Sequence, residues 1–267
     1  MKANVNGIET YYEIHGKEGA PWLVFSHSLA CSVRMWDGEI ARHKERFRVL
    51  VYDTRGHGQS AAPQGAYTLE QLADDLRGLL RTLKIEKAHF CGLSMGGMIG
   101  QTFALKYPGI FQTLTLCDTT SRYPAAAAAM WQERIRTAES QGLKPLVQPT
   151  LERWFTAPFR EKQKEKVQAI AAQIERTPVP GYVGCCHAIP KIDVTARLKE
   201  IQCPALVICG ADDPATPPAL AREIHENLPG SKLALIAQAA HLSNIEQPEA
   251  FNRALGDFLS SPASARA

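Results

Sequence analysis

The chain has 267 residues, 45% hydrophobic and 21% charged, which is enough apolar material to bury a full core and excludes disorder for the bulk of it. Its formal net charge of +3 is scattered along the sequence rather than gathered into one run, which argues against nucleic acid as a partner. Residues 1–7 have no apolar signal-peptide core and no stretch approaches the ~18 apolar residues that cross a bilayer, so a soluble, cytoplasmic protein without a membrane partner is expected.

Residues 8–14 are rich in β-branched and aromatic side chains and end at His15-Gly16, the pattern of an early antiparallel strand and its turn. Residues 21–25 are short and continuously apolar, as a strand buried on both faces must be, and they run into Ser26-His27-Ser28-Leu29-Ala30. Residues 48–53 repeat the pattern and lead into Thr54-Arg55-Gly56-His57-Gly58-Gln59-Ser60. From Thr68 the period becomes helical: Thr68 and Gln71 form a capping box, and Leu69, Leu72, Leu76, Leu79, Leu80 and Leu83 share one face.

Residues 88–98 organise the rest. An apolar run ends at Gly92, Ser94 follows two residues later, and Gly96 and Gly97 open an apolar stretch of helical length over 98–105. This Gly-x-Ser-x-Gly is a nucleophile elbow. A serine held on a strained strand-to-helix turn needs neighbours without side chains, because backbone closes on backbone at both sides. The same turn places the Met95 N–H at a helix start, aimed where an oxyanion would form. Residues 111–117 add a further apolar strand, and the resulting β-α-β-α-β succession implies a parallel sheet with right-handed crossovers.

Residues 121–195 break this rhythm with an Ala-rich start at 125–129, helical stretches containing Trp131, Arg134 and Trp154, and a charged run at 160–166. They read as a helical cap inserted into a core domain made of residues 1–120 and 196–267. Strand patterns resume at 205–209 and 232–236, followed by Ala239-Ala240-His241, a helix over about 248–259, and a small polar tail expected to fray. Of the seven Cys, Cys91, Cys117 and Cys209 sit in apolar strand runs and read as reduced, buried thiols, while Cys185-Cys186 lacks metal or redox spacing. No metal and no cofactor are expected.

In an open parallel sheet the chemistry gathers beyond the carboxyl ends of the strands. There the chain delivers Leu29, Ser94, Asp212 or Asp213, and His241, and the order Ser, Asp, His is that of the α/β-hydrolases. Asp53-x-Arg55-Gly56-x-Gly58-x-Ser60, the Ser94 elbow, Gly210-x-x-Asp213 with Thr216-Pro217, and Ala240-His241 extend the resemblance to that superfamily from end to end. It implies an α/β-hydrolase fold, a mostly parallel eight-stranded sheet with helices on both faces and an inserted helical cap. Within the superfamily the chain resembles the 3-oxoadipate enol-lactonases. The residues that carry this likeness are Arg34-Met35-Trp36-Asp37, Met130-Trp131 with Arg134-Ile135, residues 151–156, Gly181-Tyr182 with Gly184-Cys185-Cys186, Ala188-Ile189, and Asp212-Asp213-Pro214-Ala215-Thr216-Pro217. His27-Ser28 stands where relatives have His-Gly or Asn-Ser, and His187 and Pro190 also depart from the pattern.

Each role follows from the chemistry. Ser94 is the nucleophile, and His241 takes its proton and later returns one. Asp213, favoured over Asp212 by the Gly-x-x-Asp spacing, fixes the His241 tautomer. Asp53 is the third acid, expected to anchor a loop by pairing with Arg55. The backbone N–H groups of Leu29 and Met95 form the oxyanion hole, while His27 shapes its loop, with a polar contact to substrate as the alternative. The likeness to enol-lactonases implies a small-molecule substrate bearing a carboxylate. Arg134 is the candidate clamp, Trp131 and Trp154 are candidate pocket walls or ordinary cap packing, and His187 is a candidate specificity position. The expected reaction is two-step acyl transfer. A broader carboxylesterase, a lactonase for another ring, and a receptor with a vestigial site are the rivals.

Overall fold

In the computed structural model of the chain, which describes residues 1–124 and 126–261, eight strands form one sheet in the order β1-β2-β4-β3-β5-β6-β7-β8. The strands are β1 (Lys2–Val5), β2 (Ile8–His15), β3 (Trp22–Ser26), β4 (Arg48–Tyr52), β5 (Ala88–Leu93), β6 (Phe111–Cys117), β7 (Ala205–Gly210) and β8 (Lys232–Ile236). Strand β2 runs antiparallel to β1 and β4, and every other pairing is parallel. Residue 125 of the Ala-rich start and residues 262–267 of the tail lie outside the described residues.

The helices fill the connections. α1 (Asp37–His43) follows a 3₁₀ turn at Val33–Trp36, α2 (Leu69–Thr82) joins β4 to β5, and α3 (Met95–Lys106) joins β5 to β6. Five helices lie between β6 and β7: α4 (Ala127–Gln141), α5 (Lys144–Trp154), α6 (Ala157–Lys162), α7 (Lys164–Arg176) and α8 (Val179–Ala188). α9 (Pro218–Asn227) precedes β8, and α10 (Ser243–Glu246) and α11 (Pro248–Leu259) end the chain. Among the described residues, no helix is long and apolar enough to cross a membrane.

Strands β5 and β7 are buried at every position, as a strand covered by helices on both faces must be, which is why they read as unbroken apolar runs. Each fully buried Leu or Phe, such as Leu23, Phe25 and Phe90, contributes about 1.5–3 kcal/mol to holding the layers together. α2 lays its leucine stripe against the sheet, and its first turn is capped by the Thr68 hydroxyl, which accepts the Gln71 N–H at 3.0 Å. The strand order reverses at β3, which has β4 on one side and β5 on the other, and Ser26 at the end of β3 lies beside Gly92 of β5. A crevice at this switch point is where the fold accommodates a ligand.

Two features differ from the sequence-based expectation. Strand β1 is a polar, half-exposed edge that carries no apolar run, so composition hid it. The signal that reveals it is Asn6-Gly7, whose positive φ values of 48° and 78° make the tight turn of the β1–β2 hairpin. Arg55 does not pair with Asp53. The Asp53 carboxylate accepts the backbone N–H groups of Val33 and Gln59, both at 2.8 Å, and so still anchors its loop. Arg55 forks instead onto Asp75 of α2 at 2.6 and 2.8 Å, a buried bidentate pair.

The helices between β6 and β7 meet the rest of the molecule at several places, Ser32 donating to Gln173 of α7 at 3.0 Å among them, and two of these are backbone fits. Gly181 at the start of α8 lies so close to Gly56 that a Cβ on either would overlap the other's backbone, and the Gly184 carbonyl accepts the Tyr67 N–H at 3.0 Å. After α5, the Trp154 carbonyl accepts the Leu242 N–H at 3.1 Å. The Glu246 carboxylate takes both the Thr156 N–H and, at 2.9 Å, the Ala240 N–H. The loop around His241 is thereby built partly on α5.

Candidate active site

Ser94 sits between β5 and α3 with φ 57° and ψ −115°, a strained conformation for a residue with a side chain. The strain is sustained because the turn is packed from both sides. A Cβ at Gly92 would collide with the Gly96 backbone, and one at Gly96 with the Ser26 carbonyl. The Ser94 N–H is held by the Cys117 carbonyl at 2.8 Å, and its carbonyl accepts the Thr119 hydroxyl at 2.7 Å.

Two neighbouring strands, β7 and β8, bring the partners. His241, in the loop after β8, places Nε2 2.9 Å from Ser94 Oγ and Nδ1 2.8 Å from Asp213 Oδ2. Asp213, after β7, is buried. Its Oδ1 accepts the Ala215 and Thr216 N–H groups at 2.7 and 3.1 Å, and its Oδ2 accepts the Thr216 hydroxyl at 2.7 Å. Asp212 is exposed and its N–H bonds the Ala239 carbonyl, so the loop turns it away from His241. The arrangement can move a proton from a hydroxyl to an imidazole whose other nitrogen faces a carboxylate.

Leu29 lines the pocket over Ser94, and Met95 is the first residue of α3. Among the described residues, neither backbone N–H donates to a turn or loop carbonyl, and the Met95 N–H has no preceding helical turn to donate into. Two imidazoles hold the Leu29 loop. His27 Nδ1 donates to the Ser28 carbonyl at 2.7 Å while its Nε2 accepts the Thr54 N–H at 2.9 Å. His57 Nε2 accepts the Ala30 N–H at 3.0 Å, fixing Ala30 at φ 58°. Burial pushes His27 down to about 4 and His57 down to about 3, so both stay neutral and keep accepting. His27 therefore shapes the loop and has no access to a ligand.

The pocket, about 110 Å³, is lined by Ser94 and His241 on the core side and by Trp131, Arg134, Arg153 and Trp154 from α4 and α5. The Arg134 guanidinium lies 4.7 Å from the centre of the Trp131 ring, and the Trp154 ring lies 6.2 Å from His241. Arg153 was not singled out from the sequence, where it is one more arginine on a helix. Only the packing of α5 on α4 brings it beside Arg134. His187 does not line this pocket. It lies two residues before the lining residue Ile189, about 200° round the helix axis, off the buried stripe of Tyr182, Cys185 and Cys186.

Among the described residues, one cluster has metal-ligating types at short range: Asp118, Cys209 and Asp213, whose ligand atoms lie within 4.8 Å of one another. Its atoms are engaged by protein. Asp118 Oδ1 accepts the Gly210 N–H at 2.7 Å and Oδ2 the Ser243 hydroxyl at 2.6 Å, while burial pushes the Cys209 thiol far up and keeps its proton on. The cluster reads as a joint between loops rather than as a metal site.

A family model described as the alpha/beta hydrolase fold matches residues 21–248. 3-Oxoadipate enol-lactonase 2 of Acinetobacter baylyi is 39% identical over 244 residues, covering 91% of this chain and 90% of that protein. 3-Oxoadipate enol-lactonase 1 of the same organism is 36% identical, with 98% and 97% covered. The crystal structure of the enol-lactonase from Burkholderia xenovorans LB400 superposes with a TM-score of 0.95 at 40% identity, covering 98% of this chain and all of that one. The chain belongs to the α/β-hydrolase family and is an enzyme of its carboxylic ester hydrolase type, similar to 3-oxoadipate enol-lactonases.

Proposed function

We propose that the protein opens a carboxylate-bearing enol-lactone, 3-oxoadipate enol-lactone, to 3-oxoadipate by two-step acyl transfer, with Ser94, His241 and Asp213 as its catalytic residues. The observation that carries this reading is the continuous Ser94–His241–Asp213 contact chain, at 2.9 and 2.8 Å, opening into a small pocket that also holds Arg134. His241 Nε2 takes the Ser94 hydroxyl proton as Oγ attacks the lactone carbonyl. The tetrahedral oxyanion is held by the N–H groups of Leu29 and Met95, each donor worth about 3–4 kcal/mol of barrier at comparable sites. Collapse breaks the ring C–O bond, and His241 returns the proton to the enol oxygen, which stays tethered to the acyl chain and becomes a ketone. Water, deprotonated by His241, then releases Ser94 and leaves a second carboxylate on the product. No step needs a cofactor.

In this reading residues 121–195 form the cap over a core of 1–120 and 196–267, and the substrate acid group faces Arg134 with Trp131 and Trp154 as walls. The named activity of the Acinetobacter and Burkholderia relatives supports the substrate. A pocket near 110 Å³ suits a compact ring better than a long acyl ester. The test is steady-state hydrolysis of the enol-lactone against neutral p-nitrophenyl esters, with Ser94→Ala alongside. The lactone should be preferred by orders of magnitude and the variant should be folded but dead. Surviving turnover in the variant would remove Ser94 as nucleophile.

A further inference from the structure

Arg153 lines the same pocket as Arg134, Ser94 and His241, although it comes from a different helix. Six other arginines, among them Arg55 and Arg122, are engaged by carboxylates. Among the described residues, no carboxylate lies within ion-pair distance of Arg134 or Arg153, and the pocket lining contains no acidic residue. Among the described residues, the Arg153 side chain makes one hydrogen bond, its Nη2 donating to Thr150 Oγ1 at 3.2 Å. The Trp131 indole N–H, on the same wall, is buried with no partner. Among the described residues, the pocket thus gathers two guanidiniums with no carboxylate to neutralise them. Burial, and then the charge of Arg134, bring Arg153 down to about 10, the direction expected of like charges drawn together away from water.

We infer that Arg153 is a specificity-determining residue, and that the carboxylate of a short acyl substrate binds between the guanidiniums of Arg134 and Arg153. This rests on the proposed function only in taking the pocket as the place where substrate binds. A carboxylate has two oxygens and about four acceptor sites, enough to take hydrogen bonds from both forks at once. Two cations facing one small cavity would favour an anion there: a neutral ester leaves both uncompensated, whereas one anion relieves their repulsion. The substrate class is therefore a small carbonyl compound with one free carboxylate a few carbons from the scissile bond.

The test is binding, measured in the Ser94→Ala background by NMR titration with valerate and with its neutral isostere valeramide. Valerate should bind more tightly than the amide by about a hundredfold, two charged contacts of about tenfold each. Arg153→Gln and Arg134→Gln should each cut that preference by about tenfold, the range of one charged hydrogen-bonded contact, and the double variant should abolish it. Arg153→Lys, which keeps the charge but not the fork, should retain part of it and guards against a merely misfolded glutamine variant. If Arg153→Gln binds valerate with the full preference while Arg134→Gln loses it, the inference fails and the proposed function stands. If the parent shows no preference for the anion, the carboxylate site fails with both arginines. If binding behaves as expected but the unmutated enzyme does not hydrolyse the lactone, only the proposed reaction fails.

Discussion

Asp118 makes no contact with Ser94 or His241, yet the two loops that carry the acid and the base are joined through it. It is fully buried and sits at φ 45° at the end of β6, taking the Gly210 N–H from the Asp213 loop and the Ser243 hydroxyl from the His241 loop. Alanine there would strand both donors, at about 1–3 kcal/mol each, and would add about 1 kcal/mol for a non-glycine residue without a polar side chain in the left-handed region. The sum is roughly 3–7 kcal/mol, a large part of the 5–15 kcal/mol that holds a typical domain. Asparagine should cost far less. It tolerates the same backbone, keeps an acceptor for Gly210, and offers an N–H to the Ser243 oxygen. Burial and then the Asp213 charge push the Asp118 carboxyl well above the usual carboxylate range, so removing its charge relieves a cost as well. Urea unfolding and kcat measured together decide the matter. Asp118→Ala should lower the midpoint sharply and cut kcat by tenfold or more as the Asp213–His241 contact loosens, while Asp118→Asn should recover most of both. An alanine variant as stable and active as the parent would refute the joint.

Two other perturbations follow from the packing. Gly181→Ala would drive a Cβ into the Gly56 carbonyl, which cannot yield because both partners are backbone, so a loss of several kcal/mol or failure to fold is expected in thermal melts; Gly256→Ala, inside α11 with open space around it, is the matched control for lost glycine freedom. Glu39 of α1 is buried between Asn244 and Asn252, and burial raises its carboxyl from 4.5 to about 7 despite their hydrogen bonds. The folded state then holds a proton that the unfolded chain has already lost, so stability from this group is present below pH 4.5, declines as pH rises toward 7, and levels off above it. The decline is on the order of 3 kcal/mol. Denaturation at pH 5 and pH 8 should show Glu39→Gln gaining on the parent by that amount; parallel pH dependence in the two proteins would disprove it.

The parallel strands and the elbow were legible because burial on both faces leaves unbroken apolar runs, and because Ser94 between glycines has few physical alternatives. His241 contacts Asp213 and not Asp212 for a local reason, since a one-residue change along an extended loop reverses which side chain faces it. What was hidden is tertiary. Sequence spacing cannot say which faces of α4 and α5 meet, so Arg134 could be chosen from its helix while Arg153 could not. The same limit misplaced Arg55, whose carboxylate partner Asp75 is 20 residues away on α2 rather than two residues back. His187 drew attention by its identity, yet the pitch of α8 turns it from the pocket. Asp118 offered no signal at all, because its partners come from loops about a hundred residues downstream.

The backbone contact of Gly181 on Gly56 changes where the helical insertion can be cut. α8 is continuous in sequence with α4–α7, yet its fit belongs to the loop after β4, with no side chain between the two to absorb a difference in shape. Any exchange of the helices between β6 and β7 among relatives, whether by recombination in nature or by grafting at the bench, must move α8 together with the Arg55-Gly56 turn or leave both in place. Pro178, just ahead of α8, is then the splice point on that side, while α5 and α7 carry ties of their own, through the Trp154 carbonyl to Leu242 and through Gln173 to Ser32.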